Sequence, residues 1–103
     1  MLQEVDDHSF EKVVMQATRP VLVDFWSPRC GPCHALAREL EALQSEVGDR
    51  LLIVKINVDE NPQIRGEYEI YHLPALGFFQ EGELVRFIGG LGKKSALKKE
   101  LGL

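Results

Sequence analysis

Val21-Leu22-Val23-Asp24-Phe25-Trp26, then Ser27-Pro28-Arg29, then Cys30-Gly31-Pro32-Cys33, is the stretch on which the reading of this chain turns. Its first six residues are apolar apart from one carboxylate and rich in branched and aromatic side chains, the composition of a central strand covered on both faces. From Cys30 to Val47 the apolar positions Leu36, Leu40, Leu43 and Val47 recur at helical spacing, which predicts an amphipathic helix, with Gly48 suited to its stop. Two cysteines three residues apart therefore stand where the carboxyl end of a strand feeds a helix, the place where open α/β sheets put their sites. Asp24 is the oddity, a carboxylate inside a strand that the pattern buries.

Outward from this stretch, Leu51 to Asp59 reads as a second apolar strand. The intervening helix makes the two strands a right-handed parallel unit. Before them, Phe10, Val13, Val14 and Ala17 form an apolar stripe that predicts a helix, with Asp6 or Asp7 as its N-cap and Pro20 closing it. After them, Asn61-Pro62 begins a short helix reaching about Tyr68. Ala75 to Gln80 and Leu84 to Ile88, around Glu81-Gly82-Glu83, are too close for a crossover and predict an antiparallel hairpin. A last helix runs from about Ser95 to Leu101, and Leu2 to Val5 is a short strand candidate. The fold class expected is α/β, with one domain over residues 1–103.

Composition narrows the function. The 103 residues are 45% hydrophobic and 27% charged, ordinary globular usage and too apolar for disorder. Asp24 and Lys55 interrupt the best apolar runs, so no membrane helix is expected. Twelve basic residues against sixteen acidic ones give a net charge of −4, with no clustered basic surface for nucleic acid. The amino terminus has no positive region followed by an apolar run, and the expected location is the cytoplasm. Two cysteines are too few to staple a secreted scaffold. Zinc takes about four ligands, and beyond these thiols the chain offers three scattered histidines. A buried static pair is the plain alternative, and thiol redox chemistry is the reading that the spacing favours.

At a helix N-terminus, unpaired backbone N–H groups and the helix dipole favour a thiolate, which makes Cys30 the expected nucleophile. Cys33, one turn further in, is expected to be enclosed, protonated at rest and placed to attack a mixed disulfide formed by its neighbour. Gly31 and Pro32 permit a tight first turn, because proline lacks a donor that would be unpaired there anyway.

The string from Val23 to Cys33 resembles the thioredoxin family. The likeness extends to Lys55, Asp59 with Asn61-Pro62, Leu73-Pro74, Gly82 and Gly89, so that it covers essentially the whole chain. The resemblance implies the thioredoxin fold, a mixed central sheet of four to five strands flanked by helices. It assigns a cis-proline to Pro74, beside which the backbone of Leu73 would dock an extended substrate peptide, with Ile88 and Gly89 on the same rim. It makes Asp24 the buried carboxylate that takes the proton of Cys33, with Lys55 as its charge partner and Trp26 shaping the loop. Burial is expected to raise the Asp24 pKa.

The chain departs from the family pattern at the rim. Arg29 stands where tryptophan is usual, a cation expected to lower the Cys30 pKa and to favour acidic or differently shaped substrates. His34 replaces a common lysine, His72 a small residue, Ala75 a frequent threonine, and Arg38 a helix-kinking proline. The function implied is reduction of protein disulfides by a monomer with no bound cofactor. Its dithiol would be restored by a thioredoxin reductase drawing on NADPH or ferredoxin. Two alternatives share the residues: a thiol oxidase or isomerase of higher potential, and a partner-binding adaptor with secondary redox activity.

Overall fold

The computed structural model describes residues 1–89 and 92–103. Among these residues five strands and three α-helices follow in the order β1 (Gln3–Glu4), β2 (Val21–Trp26), α1 (Gly31–Val47), β3 (Leu52–Asn57), α2 (Pro62–Glu67), β4 (Ala75–Gln80), β5 (Glu83–Ile88) and α3 (Lys94–Leu101). They build one sheet in the order β1-β3-β2-β4-β5. β3 runs parallel to β1 and β2, while β4 is antiparallel to both β2 and β5. This is the mixed sheet flanked by helices that the sequence predicts, with five strands. Among the described residues no helix is long and apolar enough to cross a membrane.

β2 is the middle strand, and Val21 to Phe25 are all buried, which is why its sequence reads as a continuous apolar run. Side chains alternate across the sheet. Val21, Val23 and Phe25 enter one core with Val54, Ile56, Phe10 and Phe79. Leu22 enters the other with Ile53, Leu76 and Leu97, against Leu36, Leu40 and Leu43 of α1. The same alternation puts Asp24 on the Leu22 face, under α1, and Lys55 on the Ile53 face beside it. Burying each of those leucines stabilises the chain by roughly 1.5–3 kcal/mol, which fixes α1 over this face.

The stripe from Phe10 to Ala17 buries Phe10 and Val14 on a short helical segment, as expected, though not on a regular α-helix. The Phe10 and Val13 amides donate to the Asp6 and Ser9 carbonyls at 2.9 Å each, and over Glu11–Met15 the turn widens, with Gln16 N–H donating to the Glu11 carbonyl at 3.1 Å. Asp6 accepts from the His8 and Ser9 amides at 2.9 and 2.8 Å, capping that turn. Asp7 does not cap it. Its carboxylate accepts from the Gln63 and Ile64 amides at 3.2 and 2.9 Å and so caps α2, far along the chain.

The hairpin turn is also tighter than expected. Only Glu81 and Gly82 lie between the strands, both with positive φ, and Glu83 already pairs with Gln80. Two-residue turns of this hand match the twist of the strands they join.

Candidate active site

β2 delivers Trp26 to its carboxyl end, and the loop Ser27-Pro28-Arg29 turns the chain into α1. Cys30 is the N-cap of α1, with extended backbone at φ −89° and ψ 106°. Its sulfur accepts from the Cys33 amide at 3.2 Å, the place a capping oxygen would take. Cys30 and Cys33 are joined as a disulfide, their Cα atoms 5.3 Å apart. The two sulfurs differ in access: Cys33 is 1% exposed, Cys30 is half-buried, and Gly31 and Pro32 between them are exposed. Any group arriving from solvent meets Cys30 first.

Asp24 lies two residues before the end of β2, on the sheet face that α1 covers. Its side chain is 1% exposed, and Oδ1 has no hydrogen-bond partner among the described residues. Loss of water pushes its pKa up from 3.8 to about 7, against the smaller pull of the Lys55 ammonium. Lys55 sits opposite Asp24 in the parallel register and lies over the Trp26 ring, with Nζ 5.3 Å from its centroid. Trp26 meets the His34 ring edge-on, centroids 6.4 Å apart, and His34 Nε2 is 3.0 Å from the Pro28 carbonyl oxygen. The indole thus packs between a lysine and a histidine under the loop that carries Cys30.

The loop is also tied from the side. Asp59, just past β3, accepts from the Ser27 hydroxyl at 2.6 Å and from Arg29 Nη2 at 3.2 Å, and pairs with Arg65 at 3.5 Å. The Ser27 and Arg29 hydrogen bonds, in that order, hold the Asp59 carboxyl below its usual range. Most of the Arg29 side chain faces water, and its guanidinium is directed to Asp59. The expected influence of Arg29 on Cys30 is therefore shared with a carboxylate 30 residues away in sequence.

The Leu73-Pro74 bond is cis, and both residues are half-buried. Pro74 and Pro32 line opposite parts of a groove of about 450 Å³, whose other walls include Leu36, Arg38, Glu39 and Lys93. Gly89, just past β5, is exposed. Ile88 is corrected as a docking side chain: it is 4% exposed and packs in the core with Leu76 and Leu97, so only its main chain can meet a partner.

Comparison with known proteins agrees with this geometry. A family model described as Thioredoxin matches residues 1–102. The chain belongs to the thioredoxin family. A thioredoxin of Streptomyces clavuligerus is 43% identical over 97 residues, covering 94% of this chain and 90% of that one. A thioredoxin of Porphyra purpurea is 41% identical over 100 residues, with 97% and 94% covered. The bifunctional thioredoxin reductase/thioredoxin of Mycobacterium leprae is 41% identical over 98 residues, which is 95% of this chain and 21% of that protein. Thioredoxins are protein-disulfide oxidoreductases whose redox group is their own disulfide. The paired Cys30 and Cys33 give this member the means of dithiol-disulfide exchange.

Against the thioredoxin pattern, sequence reading singled out Asp59 without giving it a task and passed over Ser27 as loop. The signal was available in part. β2 and β3 are parallel neighbours, so the residues just past their carboxyl ends must meet, and Val58 N–H donates to the Trp26 carbonyl at 2.9 Å. A serine and an arginine following one strand, and an aspartate following the other, are natural partners.

Proposed function

We propose that this thioredoxin-family chain is a cytoplasmic, monomeric protein-disulfide reductase made of one domain over residues 1–103. The observation that carries the reading is the asymmetry of the pair: Cys30 half-buried at the helix N-terminus and Cys33 enclosed, with a buried carboxylate of raised pKa on the sheet face that α1 covers.

In the reduced form the Cys30 thiolate attacks one sulfur of a target disulfide. The target S–S bond breaks, a Cys30–target disulfide forms, and one target thiolate leaves and takes a proton from solvent. Asp24 accepts the proton of the Cys33 thiol. The Cys33 thiolate then attacks Cys30 Sγ, the Cys30–Cys33 bond forms, and the second target sulfur leaves and is protonated. Two electrons and two protons have passed to the target. A pKa of about 7 lets Asp24 take and return that proton near neutral pH.

Trp26, Arg29, Gly31, Pro32 and Lys55 form and tune the loop. Leu73, Pro74, Gly89 and the main chain of Ile88 make the docking edge. A separate thioredoxin reductase, dependent on NADPH or ferredoxin, returns the dithiol, which makes the chain an electron carrier in cell redox homeostasis. That a relative joins a reductase and a thioredoxin in one polypeptide supports such a partner.

The test is the equilibrium reduction potential of the Cys30/Cys33 couple against a dithiothreitol or glutathione buffer, read by thiol alkylation. The reading expects a value near ~−270 mV, a figure general to thioredoxins and not worked from this structure. A value above about −200 mV would overturn the reductase direction in favour of an oxidase or isomerase.

A further inference from the structure

The groove beside the cysteines is apolar at its floor and cationic at its wall. Pro32, Leu36 and Pro74 supply the floor; Arg38, Glu39 and Lys93 supply the charge. The three charges do not count equally. Glu39 keeps its charge, but its Oε1 accepts from the Lys94 amide at 2.8 Å and is held at the first turn of α3. Lys94 in turn pairs with Glu46 at 2.9 Å, outside the groove. Arg38 and Lys93 are exposed and have no carboxylate partner among the described residues. The groove therefore presents two cations without a carboxylate partner against one carboxylate bound to backbone, a net positive site in a chain whose net charge is −4.

We propose that this groove selects target disulfides flanked by an acidic residue, with Arg38 and Lys93 as the specificity-determining side chains. The proposal deepens the reductase reading and rests on it. The reach can be worked out. Arg38 lies eight residues along α1 from Cys30, which is about 12 Å at 1.5 Å per residue. An extended peptide rises about 3.3 Å per residue, so the favoured acid sits about three to four residues from the attacked cysteine. An apolar residue between the two would lie over the proline floor.

The probes are three oxidised peptides, each with one intramolecular disulfide, identical except for Glu, Gln or Lys at the third and fourth positions on both sides of the disulfide. Pre-reduced full-length protein is mixed with each, and the second-order rate constant is followed by Trp26 fluorescence with thiol alkylation as a check. At about 20 mM salt the Glu peptide is expected to react about fivefold faster than the Gln peptide and the Lys peptide correspondingly slower, an effect of the size that exposed ion pairs produce. In 0.5 M salt the three rates are expected to converge, because screening shortens the reach of exposed charge.

The double variant Arg38→Glu with Lys93→Glu is expected to invert the order, each rate being taken relative to that variant's own Gln peptide. If far-UV circular dichroism shows that it does not fold, Arg38→Gln with Lys93→Gln replaces it and is expected to abolish the order. Equal rates for the three peptides at low salt, or an unchanged order in the variant, would overturn the charge selection while leaving the reductase intact. Failure of the wild type to reduce even the Gln peptide would instead overturn the reductase reading, and the selection with it.

Discussion

Replacing Asp24 by asparagine is expected to make the oxidised protein more stable relative to wild type as pH rises, by an amount the structure allows to be worked. The side chain is 1% exposed, and its carboxyl titrates at about 7 in place of 3.8. The folded chain thus holds this proton more tightly than the unfolded chain does. Linkage then sets the sign: the stabilisation is fully present below pH 3.8, is lost as pH rises towards about 7, and is gone above it. At about 1.4 kcal/mol for each tenfold change in proton affinity, the whole effect is about 4 kcal/mol, of which about 3 kcal/mol falls between pH 5 and pH 8.5.

Asparagine keeps the shape and cannot ionise, so this contribution vanishes in the variant. Its amide brings a polar cost of its own, roughly 1–3 kcal/mol, but that cost does not depend on pH. The assay is urea unfolding of both oxidised proteins at pH 5 and pH 8.5, without reductant. All other titrating groups are common to the two proteins and cancel in the difference. The stability of the variant minus that of wild type is expected to rise by about 3 kcal/mol from the lower pH to the higher. A change smaller than about 0.5 kcal/mol would refute the claim that burial governs this carboxylate.

Three further outcomes follow from other parts of the molecule. Cys33→Ser is expected to halt exchange after its first step, so that gel electrophoresis without reductant shows covalent adducts with disulfide proteins; their absence with every target would sink the two-step mechanism. Gly82→Ala forces a Cβ onto a residue with φ +79° and to 2.8 Å from the Met15 carbonyl oxygen. Its expected cost is about 2 kcal/mol or more in denaturant unfolding, and a neutral result would contradict the tight turn. Asp7→Ala removes the cap of α2 and is expected to cost about 1 kcal/mol, with faster hydrogen exchange at the Gln63 and Ile64 amides as the signature that separates capping from a general loss.

The strand, loop and helix around Cys30 were legible because each is governed by a local rule that tertiary structure did not override. β2 reads as apolar because both its faces are covered, and α1 reads as helical because Leu36, Leu40 and Leu43 all meet one core. The first helix was legible in its buried face, through Phe10 and Val14, but an apolar stripe does not report the widened turn over Glu11–Met15. The cap at Asp7 could not be read locally at all, since its partners are brought to it by the fold. Ile88 could not be placed by a two-residue count from Leu84, because a bulge at Val85 shifts the register and the two side chains pack on opposite faces of the sheet. Arg29 shows where residue-by-residue reading stops, because the carboxylate that receives its charge comes from the turn that follows another strand.

Asp24 also shows how stability and activity are set against each other in this fold. Strand pairing asks only for a backbone at this position, and Leu22, two residues earlier on the same face, shows the kind of side chain that packing under α1 accepts. A carboxylate there leaves Oδ1 without a partner, and Trp26 Nε1 close by in the strand is likewise buried and unpaired among the described residues. A local conflict with packing marks a position held for something else. In the proposed mechanism the proton that Cys33 must lose supplies the reason, and the reason has a consequence. The substitution that raises relative stability at pH 8.5 must also slow resolution of the mixed disulfide, by about tenfold or more for a lost general base. Rapid mixing of reduced Asp24→Asn protein with a peptide disulfide reads the second step directly. Stabilisation at the wild-type rate would leave the carboxylate with its cost and without its use, and the role of Asp24 in the proposed mechanism would have to be withdrawn.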